Sequence, residues 1–197
     1  MKPATVIREL AFLSRVINHA RREWDINTPN PISMVRKPPA GKGCDRILTA
    51  DEEARLLAAV EPTGRRNPWM KPLVTLALET ALRRGELLAL RWQHIDLANR
   101  VAHLPITKNG DTRNVPLSTK AAETLRSLPR CITGQVFPIQ HPARHRAFMR
   151  ATARAGLTDL RFDDLRHTAI TRMADRLPNV IELSAVTGHR SLKMLQR

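Results

Sequence analysis

The chain has 197 residues, enough for one well-cored domain and a small appendage, and its 33 Lys+Arg against 18 Asp+Glu give a net charge of +15. That excess argues against a metabolic enzyme with a neutral surface and selects a polyanion partner, so salt-sensitive nucleic-acid binding is the first expected property. Arginine heavily outnumbers lysine, which favours planar, bidentate phosphate contacts over diffuse attraction.

No apolar run approaches the roughly 18 residues of a membrane span, and Met1-Lys2-Pro3 leads into an amphipathic helix rather than a signal peptide. Cys44 and Cys131 lie far apart without CxxC spacing. A zinc site is therefore not expected, no other metal or cofactor is called for, and reduced thiols in a cytoplasm are the default. The chain contains no tyrosine.

In chain order, Val6, Leu10, Leu13, Ile17, Ala20 and Trp24 recur at steps of three and four and predict a helix over 4–24. Its apolar stripe needs a cover, either the main domain or a second copy. Asn27-Thr28-Pro29-Asn30-Pro31 and then Lys37-Pro38-Pro39-Ala40-Gly41-Lys42-Gly43 read as extended chain. The expected division is residues 1–36 as the remnant of a helical domain, 37–46 as linker and 47–197 as the main domain.

Thr49-Ala50-Asp51-Glu52 has capping-box spacing and opens a helix to Val60. Pro68 to Leu82 reads as a second helix, and Glu86 to Leu90 as a short third. The period then changes. His94–Leu97, Arg100–Thr107 and Thr112–Leu117 read as strands, with Asn109-Gly110 as a two-residue hairpin turn. Ser118 caps a helix to about Leu128, and Pro142 begins another that ends at Gly156. The final helices are expected at 163–176, 180–187 and from 191 onward. The fold class is mainly α with a small three-stranded antiparallel sheet (α+β).

Four short stretches carry the chemistry. In Thr80-Ala81-Leu82-Arg83-Arg84-Gly85-Glu86-Leu87, Arg83 stands where one helix stops and the next begins, a place where N–H groups and a guanidinium can meet an anion. Taken alone, it reads better as a surface arginine paired with Glu86. In Thr107-Lys108-Asn109-Gly110-Asp111-Thr112-Arg113, Lys108 stands at a hairpin tip able to enter a nucleic-acid groove, or is an ordinary charged turn residue. In Asp163-Asp164-Leu165-Arg166-His167, Arg166 falls in the first turn of a helix, where the macrodipole assists anion binding. Asp163 and His167 share a face and could hydrogen-bond to each other. A metal site from Asp163, Asp164 and His167 is a further, weaker reading. Thr187-Gly188-His189 reads as a helix end capped by glycine.

The order and spacing of these stretches resemble the tyrosine recombinase (phage integrase) family. The matching residues run Thr80 to Trp92, Thr107-Lys108 with Arg113 to Leu117, Asp164-Leu165-Arg166-His167, and Thr187 to Leu192. The resemblance covers about residues 47–197, and the segment before it is similar to the tail of the family's core-binding domain.

The resemblance implies that Arg83 and Arg166 clamp the scissile phosphate, Lys108 protonates the leaving 5′-oxygen and His189 hydrogen-bonds the phosphate. It implies that Glu86 orients the site from behind, with His167 beside it. Lys108, Arg113 and Arg84 become the expected DNA contacts. The implied partners are double-stranded DNA, and further protomers in a synaptic tetramer for the full-length protein, with no membrane. The implied activity is site-specific cleavage and rejoining through a 3′-phosphotyrosine, with a non-catalytic DNA-binding module as the alternative. Two departures qualify this. Asp163 occupies the family's histidine position, where a carboxylate would repel phosphate. The tyrosine nucleophile would fall immediately beyond Arg197, so these residues are expected to bind DNA without cleaving it.

Overall fold

The structure, a computed structural model, describes residues 1–39, 46–105, 112–177 and 179–188. It divides into two compact units, Met1–Cys44 and Asp45–Arg197. In the first, α1 (Pro3–Glu23) starts with proline in its first turn, where a missing N–H is harmless, and ends with Arg21 and Arg22 against the negative end of the helix dipole. Asn30 ties the next segment to this helix. Its Oδ1 accepts from the Ile32 N–H at 3.0 Å to start a 3-10 turn (Pro31–Met34), while its Nδ2 donates to Ser14 Oγ at 2.9 Å and Asn18 Oδ1 at 3.0 Å on α1.

The second unit is built around α3 (Met70–Thr80), which packs against α2 (Ala50–Ala59), α5 (Thr119–Arg126), α6 (His141–Arg154) and α7 (Phe162–Arg176). Its apolar residues do not keep to one stripe: Leu73, Val74, Leu76, Ala77 and Leu78 are all buried. A helix apolar on every side belongs in the middle of a domain, and Leu56, Leu87, Val115, Leu125, Phe137 and Leu165 close the core around it. The expected capping box is formed at α2: Thr49 Oγ1 accepts from the Glu52 N–H at 3.2 Å, and Glu52 Oε2 from the Thr49 N–H at 3.0 Å.

After α3, the short α4 (Arg84–Ala89) leads through a 3-10 turn (Trp92–His94) into the sheet. The sheet has order β1-β2-β3, all antiparallel: β1 (Ile95–Asp96), β2 (Val101–Leu104) and β3 (Arg113–Pro116). Ala102 faces Val115 across β2 and β3, and both are buried. The first expected strand is shorter than its sequence suggested, because His94 is taken by the 3-10 turn. Asn109-Gly110 and the helix expected from 191 lie outside the described residues. The chain ends its described course in α8 (Val180–Thr187), which packs on α7 and β3 and stops at Gly188 in the left-handed conformation, φ 70°. The architecture is mainly helical with one small antiparallel sheet, the class expected from the sequence.

Candidate active site

Two helix boundaries and a helix end meet at the site. The C-cap of α3 is Ala81, a buried residue held at φ 52°. Left-handed backbone at a non-glycine residue is strained by roughly 1–2 kcal/mol. The bend turns the chain so that Arg83 becomes the N-cap of α4. Three residues on, Glu86 folds back: its Oε2 accepts from the Arg83 N–H at 2.8 Å and its Oε1 from Arg83 Nη1 at 2.9 Å. The same device starts α7, where Asp164 Oδ2 accepts from the Arg161 N–H at 2.7 Å, and Arg166 comes one turn into that helix.

Three guanidiniums converge on the Thr187–Gly188 turn. Arg83 Nη2 donates to the Gly188 carbonyl at 2.9 Å and Arg166 Nη2 to the Thr187 carbonyl at 2.7 Å. Arg166 Nη1 also donates to the Ala81 carbonyl, tying the strained bend to α7. Arg113 reaches in from β3, its Nη2 donating to Glu86 Oε2 at 2.8 Å. Gly188 leaves the room for it: a Cβ there would stand 1.8 Å from Arg113 Nη1 and 3.4 Å from Arg83 Nη1.

The electrostatics are set by this crowding. Burial pushes the Arg166 guanidinium down to about 10, and the neighbouring charge of Arg83 adds to the effect. Arg113 is lowered as well, by burial first; Glu86 opposes the shift and Arg83 reinforces it. Burial alone would push the Glu86 carboxyl up. The hydrogen bonds from Arg83 and the charges of Arg113 and Arg83 outweigh it and hold the group below its ordinary value of 4.5. One carboxylate thus stands among three cations, and the remaining positive charge suits an anion.

Of the residues singled out from the sequence, Arg83, Glu86, Arg113 and Arg166 come together. Arg113, expected on the hairpin facing DNA, instead has a side chain only 8% exposed and sits behind the site against Glu86. Strand alternation sets Arg113 on the same face as the buried Val115, a signal that the charged neighbours of the hairpin obscure. Arg84 lies at the start of α4, with Nη1 3.9 Å from Asp163 Oδ2. That pairing differs from the expected Asp163–His167 hydrogen bond; the Asp163 side chain is 64% exposed, and His167 is exposed too. Asp164 turns inward to cap Arg161, so the three residues of the metal reading do not share one face. No metal-holding group of three or more His, Cys, Asp or Glu occurs among the described residues. Lys108 and His189 lie outside the described residues.

A mainly helical unit with one small antiparallel sheet is the fold shared with solved integrases, among them the catalytic domain of bacteriophage HP1 integrase. The chain belongs to the phage integrase family, whose family model matches residues 46–197. It is similar to a shufflon-specific DNA recombinase of Escherichia coli, 47% identical over 98% of this chain and 50% of that protein. Among solved structures, the Tn1549 transposon integrase in complex with circular intermediate DNA superposes with a TM-score of 0.73. It is 20% identical and matches 99% of this chain and 74% of that one. A lambda integrase tetramer bound to a Holliday junction gives 0.70 at 24% identity, over 92% of this chain and 57% of that one. The chain spans about half the length of the curated relatives it matches. No described helix is long and apolar enough to cross a membrane.

Proposed function

We propose that this chain is the phosphate- and DNA-binding part of a site-specific recombinase that cuts and rejoins duplex DNA through a 3′-phosphotyrosine intermediate. The observation that carries the reading is the meeting of Arg83, Arg166 and Arg113 at Gly188, with Glu86 holding two of them. Phosphoryl transfer asks a protein mainly for positioning and charge stabilisation, and fixed guanidiniums supply both. Arg83 and Arg166 clamp the non-bridging oxygens of the scissile phosphate, and Glu86 with Arg113 fixes Arg83 in place. His189 adds a hydrogen bond, and Lys108 gives its proton to the leaving 5′-oxygen. The attacking tyrosine oxygen bonds to phosphorus as the 5′-oxygen departs, and the reverse step joins a new strand, so the bond energy is conserved. The full-length protein works in a synaptic tetramer on bacterial DNA, and the segment 1–36 is the tail of its core-binding domain.

These 197 residues contain no tyrosine, and by themselves they bind duplex DNA without forming the covalent intermediate. A nicked suicide duplex bearing the cognate site provides the test. The 197 residues bind it and give no adduct, whereas a chain of the relatives' length that carries the tyrosine gives a covalent adduct dependent on Arg83 and Arg166. Absence of adduct from that longer chain on a duplex it demonstrably binds would instead favour a DNA-binding module without chemistry. Asp163 supports this second reading, because a solvated carboxylate there supplies no histidine proton.

A further inference from the structure

A second cationic feature lies at the other end of α3. Met70, its first residue, and Ala81, its C-cap, are separated by about 16 Å of helix, so the groove beside Met70 is distinct from the arginine site at Gly188. The groove has a volume of about 310 Å³ and runs between α6 and the loop that joins α2 to α3. Its floor is Ala143, Ala147 and Ala151, one residue per helical turn, with Val60 and Met70 beneath. One wall is Arg146, Arg150 and Arg154, again one per turn; the other is Arg65 and Arg66.

Five arginines thus line one trough with no carboxylate in its lining, and none of the five makes an ion pair among the described residues. Glu61, next in sequence to the lining residue Val60, is engaged by Lys71 at 2.5 Å. Two of the arginines are steadied by backbone: Arg154 Nη2 donates to the Ala59 carbonyl at 2.7 Å and Arg66 Nη1 to the Glu61 carbonyl at 3.4 Å. Arg154 is also lowered by burial and then by the charges of Arg66 and Arg150. Like charges so arranged repel, and the arrangement is relieved by an anion between them.

We infer that the α6 groove is a second DNA-backbone site, in which Arg146, Arg150 and Arg154 on one wall and Arg65 and Arg66 on the other grip consecutive phosphates of a strand outside the strand-transfer pocket. Helical geometry sets the three wall arginines about 6 Å apart in a row about 12 Å long, a ladder suited to a repeating polyanion. The alanine floor gives the backbone access to the forks. An acidic protein partner fits less well, because protein interfaces are anchored by aromatic or large aliphatic residues and this trough offers only Val60 and Met70. The inference rests on the chain being a DNA-binding protein and adds a contact remote from the proposed cleavage site.

The test is a salt titration of duplex affinity by fluorescence anisotropy, comparing the wild-type chain, R146Q/R150Q and the charge-matched control R126Q/R176Q. Each phosphate contact contributes roughly 0.9 to the slope of log affinity against log salt. R146Q/R150Q is expected to lower that slope by about 1.8, and to bind about 10- to 100-fold more weakly near 0.1 M salt. The control should change far less. All four arginines are exposed, so thermal unfolding of both variants should match wild type. Equal losses in the two variants would reduce the effect to net charge and overturn the inference, leaving DNA binding itself standing. Unchanged duplex binding by R146Q/R150Q, with capture of a polyglutamate peptide that the variant loses, would reassign the groove to acidic protein. Absence of salt-dependent duplex binding by the wild type would sink both this site and the proposed function.

Discussion

Glu86→Ala is the most informative single change in this molecule. The Glu86 side chain is 6% exposed and accepts from three donors: the Arg83 N–H, Arg83 Nη1 and Arg113 Nη2. Deleting it leaves the Arg113 guanidinium buried without a counter-charge among the described residues, where Arg113 Nε and Nη1 have no hydrogen-bond partner to begin with. Removing one side of a buried pair costs about 3–5 kcal/mol, chiefly through the stranded charge. For a unit of this size that is a fall in Tm of roughly 6–20 °C, at about 2–4 °C per kcal/mol. The companion variants are Arg113→Met and the double change. If the stranded charge is the cause, E86A/R113M should be more stable than E86A alone, because an apolar side chain of similar length then fills the space. Thermal and urea unfolding followed by circular dichroism supply the four corners of the cycle. A loss below about 1 kcal/mol for E86A, or a coupling energy below about 0.5 kcal/mol, would refute the reasoning.

The same carboxylate sets an acid limit. Its folded pKa lies below its ordinary value of 4.5, so its stabilisation is fully present above that value and is lost as pH falls through the folded pKa. A plot of unfolding free energy from pH 6 to pH 2 should fall more steeply for wild type than for E86A, and parallel curves would contradict the assignment. Gly188→Ala should destabilise more than Gly134→Ala. Both glycines sit near φ 70°, a strain of roughly 1–2 kcal/mol for alanine, but only at Gly188 does the new Cβ strike Arg113; equal losses would mean that Arg113 swings away freely. Arg166→Lys cannot bridge the Ala81 and Thr187 carbonyls with one planar fork and should weaken duplex binding about tenfold or more, read by anisotropy at fixed salt. Thr49→Ala removes the α2 cap and should cost about 1 kcal/mol in urea unfolding.

Most of the helical frame was legible because its signals are local. Thr49 and Glu52 announce α2 by spacing alone, and the apolar run from Leu73 to Leu78 marks a helix whatever surrounds it. The strained turn at Ala81 was not legible, since alanine gives no sign of a left-handed backbone; the conformation is imposed by burial and by Arg166 from another helix. The arginines at 83 and 166 could be singled out as lying at helix starts, but not as neighbours, because more than 80 residues separate them in the chain. Arg113 shows the limit most clearly. Its sequence neighbours on a charged hairpin suggest a surface residue, although alternation sets it on the face of buried Val115, and the packing of α8 on β3, with Gly188 too small to obstruct, leaves room for the guanidinium against Glu86. The consequence is physical: three part-buried cations gather at one point with a single carboxylate and three backbone carbonyls as partners, so disturbing any one of those acceptors should be felt by all three arginines.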